Sequence, residues 1–136
     1  MSDFTGKMKF FATGIEGYSR LEQANPKVIE NRATDVEVAV TTIDDFCHKR
    51  DIVPNWITLD VEGFEKSALC GARETINARR SKLGIIVEMH PNLWEAAGTS
   101  REEFKECCRE LAIRPIAMTG QQDVFEEYGI VCFDAI

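Results

Sequence analysis

Two short stretches hold most of the side chains able to do chemistry, Asp60-Val61-Glu62-Gly63 and Glu88-Met89-His90-Pro91. Together they supply three carboxylates and one of only two histidines. Each stretch lies at the end of a predicted strand, and an amphipathic helical pattern separates the two. A strand–helix–strand unit with a right-handed crossover returns the chain parallel to its first strand. Neighbouring strands lie about 4.8 Å apart. Both carboxyl ends then open on the sheet edge where open α/β proteins bind ligands. Asp60, Glu62, Glu88 and His90 are therefore the candidate site residues.

Each also has a duller role. Asp60 and Glu62 precede a helix, and carboxylates near a helix N-terminus are stabilised by its dipole. Gly63 is read first as a tight strand-to-helix turn. His90 beside Pro91 could be a turn residue. Glu88 is harder to set aside, because a charge closing an apolar strand needs a partner or a ligand. A metal-assisted hydrolase built on all four residues is a third-ranked reading, since one histidine with three carboxylates is not a recognised ligand spacing.

The elements that must position these residues follow from periodicity. Lys7 to Ala12 alternates as a strand at a sheet edge. Thr13 to Thr34 is polar, without a firm period, and reads as a functional or disordered loop. Val36 to Val40 is a strand, and Thr42-Ile43-Asp44-Asp45 opens a short helix with Thr42 as N-cap. Trp56 to Val61 is a strand. Phe64 to Arg80 is a helix whose Phe64, Ala68, Leu69, Ala72 and Ile76 form one stripe. Leu83 to Met89 is nearly continuously apolar, as a parallel strand covered on both faces would be. Leu93 and Trp94 are read as core before pocket wall. Ser100 to Leu111 is a helix with a Ser100/Glu103 capping box. Ile113–Met118 and Gly129–Asp134 are strands whose short polar connection makes them an antiparallel pair. The alternation predicts one α/β domain over 1–136 with a mostly parallel sheet and a C-terminal antiparallel strand pair.

Composition narrows the partners. The 16 basic against 23 acidic residues give −7, and the one basic cluster, Arg79-Arg80-Ser81-Lys82, falls at a predicted helix C-terminus, where cations offset the dipole. Nucleic acid is not an expected partner. No apolar run approaches the length of a membrane span, and no secretory signal is visible at Met1 to Lys7. Of five cysteines without a C-x-x-C pair, three fall on apolar positions and read as small buried thiols before disulfide partners or metal ligands, which favours a reducing, cytoplasmic setting. His48, among Lys49, Arg50 and Asp51, is assigned to a solvated helix end.

Thr42-Ile43-Asp44-Asp45-Phe46, Ile57-Thr58-Leu59-Asp60-Val61-Glu62-Gly63-Phe64-Glu65, Leu69-Cys70-Gly71-Ala72 and Ile86-Val87-Glu88 resemble successive blocks of FkbM-type methyltransferases. Asp3 to Phe11 and Gly17 to Leu21 resemble the preceding family segment more weakly. The resemblance implies a Rossmann-like fold and methyl transfer from S-adenosylmethionine, usually to an oxygen on a sugar or polyketide-like product. It places the Asp60–Glu62 segment at the cofactor and substrate edge, and Glu88 and His90 toward the acceptor. His90 or Asp60 would be the general base, because deprotonation makes oxygen the better nucleophile.

The family's first strand and glycine-rich loop would precede Met1, and Gly14-Ile15-Glu16-Gly17 is no substitute. The chain therefore resembles a methyltransferase domain truncated on its N-terminal side. It is expected to bind S-adenosylmethionine weakly or not at all alone, and to form a homodimer or soluble oligomer over its exposed sheet edge rather than cap that edge with the Lys7–Ala12 and Val36–Val40 strands. The alternative function is a non-catalytic methyltransferase-like remnant or interaction module.

Overall fold

The computed structural model describes residues 1–12, 20–21 and 34–136. Strands β1 (Gly6–Ala12), β2 (Arg20–Leu21) and β3 (Thr34–Val40) form an antiparallel sheet in the order β2-β1-β3. The Lys7–Ala12 strand is thus central in its sheet rather than at an edge. β2 and the first residue of β3 fall within the 13–34 stretch read as a loop; the rest of that reading lies outside the described residues.

The second sheet holds β4 (Trp56–Leu59), β5 (Gly84–Met89), β6 (Ile113–Ala117) and β7 (Gly129–Ala135), in the order β4-β5-β7-β6. β4 and β5 are parallel neighbours, Trp56 opposite Gly84 and Leu59 opposite Val87. The expectation of a mostly parallel sheet is corrected. β5 pairs antiparallel with β7, and β7 antiparallel with β6. The physical reason is the hairpin: β7 returns from β6 through a short connection and inserts beside β5, so no helical crossover sets its direction. The C-terminal strand pair is antiparallel, as its connection predicts.

One face of this sheet is buried and the other partly open. Ile57, Leu59, Ile85, Val87, Met89, Val131 and Phe133 share a core with Leu69, Ile76, Phe104 and Leu111 from the helices. Burial along β5 alternates strictly, so the strand is not covered equally on both faces. Its apolar run reflects Ile86, which is only half-buried on the second face. Pleat parity puts Trp56, Thr58 and Asp60 on that face with Gly84, Ile86 and Glu88.

Local signals set the helices. Thr42 caps α1 (Ile43–Arg50), its hydroxyl accepting from the Asp45 N–H at 2.9 Å. Ser100 and Glu103 form the expected capping box on α5 (Arg101–Leu111). The helix predicted over 64–80 is two helices, α2 (Glu65–Cys70) and α3 (Arg73–Arg79), followed by a 3-10 turn at Arg80–Lys82. The break falls at Gly71, where a Cβ would stand 2.1 Å from the Ser2 carbonyl oxygen. The Asp44 N–H takes the Gly71 carbonyl at 2.9 Å. The Asp44 carboxylate accepts from the N–H groups of Glu74 and Thr75 at 2.9 and 2.8 Å, supplying α3 with a cap from another element. A short helix, α4 (Pro91–Trp94), begins immediately after His90.

Candidate functional site

The site forms where β4 and β5 end. β4 delivers Asp60, exposed; β5 delivers Glu88 and, one residue beyond its end, His90, both half-buried. One ligand-capable atom of each lies within 4.8 Å of the others. Of the four residues expected to converge here, Asp60, Glu88 and His90 do so. Glu62 is not in this trio. It sits on the turn between β4 and α2, with a left-handed backbone (φ 44°), followed by Gly63 at φ 101°. Gly63 serves the turn: a Cβ there would stand 2.9 Å from the Leu93 Cβ.

The residue that organises this edge is Glu65, which is not among the four candidates that the sequence singles out. It lies in the first turn of α2 and is fully buried. Its Oε1 accepts from the Gly63 N–H and lies 2.9 Å from His90 Nδ1, while its Oε2 accepts from Trp94 Nε1 at 2.8 Å. A carboxylate only accepts, so His90 donates through Nδ1. That tautomer leaves Nε2 as the unprotonated nitrogen, 3.9 Å from Glu88 Oε1. The signal in the sequence was a charge on an apolar stripe, since Glu65 continues the Ala68, Leu69, Ala72, Ile76 row at helical spacing.

Electrostatics at His90 follow from its neighbours. The Glu65 hydrogen bond is the main cause raising its pKa above the ordinary imidazole value; burial opposes this, and the charges of Glu65, Glu88 and Asp60 add to the rise. Trp94 is buried and packs on Phe104 with ring centroids 4.7 Å apart. The core reading of Leu93 and Trp94 holds, and Trp94 also gives its indole N–H to Glu65.

Tyr128 is the second residue that sequence reasoning missed. Its hydroxyl donates to Glu88 Oε1 and its ring meets the His90 ring edge-on, centroids 5.3 Å apart. The Glu88 hydrogen bond raises the phenol pKa. Tyr128 precedes Gly129, which pairs with Met89, so the antiparallel entry of β7 brings it to the end of β5. No feature of the polar 119–128 connection signals this. His48, by contrast, is exposed and lies 3.7 Å from Glu74, away from the trio.

Asp60, Glu88 and His90 Nε2 offer the donors a divalent cation would need. The same acidic edge also suits an organic cation. A cavity of about 530 Å³ opens at the other end of β4 and β5, lined by Asn55, Trp56, Arg80, Lys82 and Gly84 among others. It does not reach the trio. No helix among the described residues is long and apolar enough to cross a membrane.

The sequence model of one family, described as the methyltransferase FkbM domain, matches residues 3–116. No curated protein and no solved structure matches the chain. The matched residues include Asp60, Glu62, Glu65, Glu88 and His90, and stop short of Tyr128.

Proposed function

Because the chain belongs to the FkbM methyltransferase domain family, we propose that it takes part in methyl transfer from S-adenosylmethionine to a hydroxyl on a sugar or natural product. In this reading His90 is the general base. The observation that carries the assignment is the Glu65–His90 hydrogen bond, which engages Nδ1 and leaves Nε2 as the nitrogen able to accept a proton. The bound donor would supply an electrophilic methyl on a sulfonium, and the acidic edge fits that positive charge. His90 Nε2 accepts the acceptor's hydroxyl proton as the oxygen attacks. Asp60 and Glu88 accept hydrogen bonds from neighbouring hydroxyls or stabilise the resulting imidazolium. Asp60 is the alternative base. Glu62 shapes the turn and the cofactor side. The sheet is read as part of a Rossmann-like arrangement, and the free cysteines suit a reducing cytoplasm.

The test is release of S-adenosylhomocysteine with a panel of hydroxylated acceptors. Turnover should require an acceptor and fall by about 10²–10⁴-fold in His90→Asn, the usual contribution of a positioned base. Turnover unchanged in His90→Asn would reject the base assignment. Absence of both donor binding and turnover would favour a non-catalytic module.

A second reading has one observation in its favour, the approach of Asp60, Glu88 and His90 to within 4.8 Å of one another. A metal-assisted hydrolase would show activity or thermal stabilisation dependent on magnesium, manganese or zinc. Methyl transfer unaffected by chelation would count against it.

A further inference from the structure

The five cysteines among the described residues are all free thiols, yet two of them are not ordinary neighbours. Cys70 ends α2 and Cys107 lies in the middle of α5. Their Sγ atoms are 2.7 Å apart. Non-bonded heavy atoms keep about 3.5–4.0 Å between them, so this pair is in closer than van der Waals contact. A disulfide needs about 2.05 Å, which the two sulfurs reach by closing roughly another 0.7 Å. We infer that Cys70 and Cys107 form a reversible intramolecular disulfide that ties α2 to α5. The inference does not depend on the catalytic reading above.

The surroundings give the two sulfurs different roles. Cys70 is half-buried and reachable, whereas Cys107 is buried. The Cys107 thiol, hydrogen-bonded to Cys70, lowers the Cys70 pKa to about 7; burial opposes this, and Lys66 and Arg73 assist it. Cys107 is pushed upward by the same contact and by burial. Cys70 is therefore the attacking thiolate. The neighbouring Cys108 is buried, and desolvation holds its pKa up at about 12, so it is a poor competitor.

The oxidant is hydrogen peroxide. Cys70 thiolate attacks the peroxide, the O–O bond breaks, and Cys70 becomes a sulfenic acid with release of water after protonation. Cys107 sulfur then attacks Cys70 sulfur, the S–O bond breaks, and the Cys107 proton leaves with the departing hydroxide as a second water. Two thiols are oxidised, one peroxide is reduced, and two waters form. Glutathione reverses the link by attacking the reachable Cys70 sulfur and releasing Cys107, and a second glutathione then displaces Cys70 from the mixed disulfide to leave glutathione disulfide. A reducing compartment makes such a link transient, which is the mark of a regulatory bond rather than a structural one. The geometry that gathers the pair joins the layer carrying Glu65 to the helix that packs beside it.

The full chain is treated with one equivalent of hydrogen peroxide, quenched with N-ethylmaleimide under denaturing conditions, and mapped by mass spectrometry. Before oxidation five thiols should be alkylated; after it, three, five less the bonded pair. Intact mass should fall by about 2 Da for the two hydrogens lost, and a single linked peptide should join Cys70 to Cys107. Glutathione should restore all five thiols. Cys70→Ser and Cys107→Ser should each abolish the link, and Cys108→Ser should leave it. Five alkylated thiols after peroxide, a Cys70–Cys108 link, bonds between chains, or oxygen addition without a link would each overturn the proposal. If a serine variant does not fold, the peptide map of the unaltered chain decides.

Discussion

Replacing Glu65 by alanine removes the acceptor of three N–H groups at once. Two of these, Trp94 Nε1 and the Gly63 amide, are buried and lose their partner. Each buried unpaired donor costs about 1–3 kcal/mol, and His90 loses its carboxylate besides. The terms share one site and do not add fully. Part of the loss is also returned, because a carboxylate no longer has to be desolvated. The expected destabilisation is about 3–5 kcal/mol, the range for breaking a buried ionic contact from one side. Glu65→Gln keeps the shape and one acceptor oxygen but turns an NH₂ toward a donor, so about 1–3 kcal/mol is expected. Urea unfolding at neutral pH, with unchanged slope, measures both.

The same variants separate structure from electrostatics. His90 has its pKa raised chiefly by Glu65, so its folded value should fall in Glu65→Gln. NMR titration reads this, with His48→Gln removing the only other histidine signal. The sign of the linked stability follows. A raised folded pKa gives stability that is complete below the unfolded value of about 6.5 and lost as pH rises through the folded one. The stability gap between wild type and Glu65→Gln should therefore narrow over that window. A loss below about 1 kcal/mol in Glu65→Ala, or a His90 titration that does not move, would refute the reasoning.

If His90 is the base, kcat/KM should rise with pH through a midpoint above about 6.5, and the midpoint should move down in Glu65→Gln; a limb unmoved by that change would assign the titration elsewhere. Ultraviolet titration should show one phenol ionising above the ordinary tyrosine range, restored by Glu88→Gln, because the Tyr128–Glu88 hydrogen bond raises it. Gly63→Ala should lose about 1–3 kcal/mol from its φ of 101°, with Leu93 adding a contact; unchanged urea stability would reject that account. Finally, among the described residues β4 pairs with β5 alone and carries Trp56 at 65 % exposure, so two copies are proposed to pair through it. Light scattering at micromolar concentration should give twice the chain mass, and a monomer would sink the pairing.

Local chemistry was the legible part of this fold. The Thr42 cap and the Ser100/Glu103 box depend on residues three apart, and both formed as read. The β4–β5 pair was legible because the apolar stripe between them required a crossover helix, and from that pair followed the gathering of Asp60, Glu88 and His90. What failed was set by contacts distant in sequence. The Gly71 break is dictated by Ser2 and Asp44, the half-open face of β5 by what packs on it, and the mixed sheet by β7 inserting beside β5. Tyr128 reaches the site through that register alone. Glu65 was different: its place on an apolar stripe is visible in the sequence, and a charge there needs buried partners.

The Gly71 contact has a genetic consequence. The requirement for glycine at this position comes from the carbonyl of Ser2, which is itself buried and tied by its N–H to the Thr41 carbonyl at 3.0 Å. Without the first residues, the nearest remaining obstacle to a Cβ at position 71 is the Thr42 Cβ at 3.3 Å, a contact that small adjustments relieve. An alanine at 71 is then harmful in one background and tolerated in another. Because the obstacle is main chain, any residue at position 2 keeps it, and the need for glycine at 71 answers to the presence of the N-terminal segment rather than to the side chain that position 2 carries.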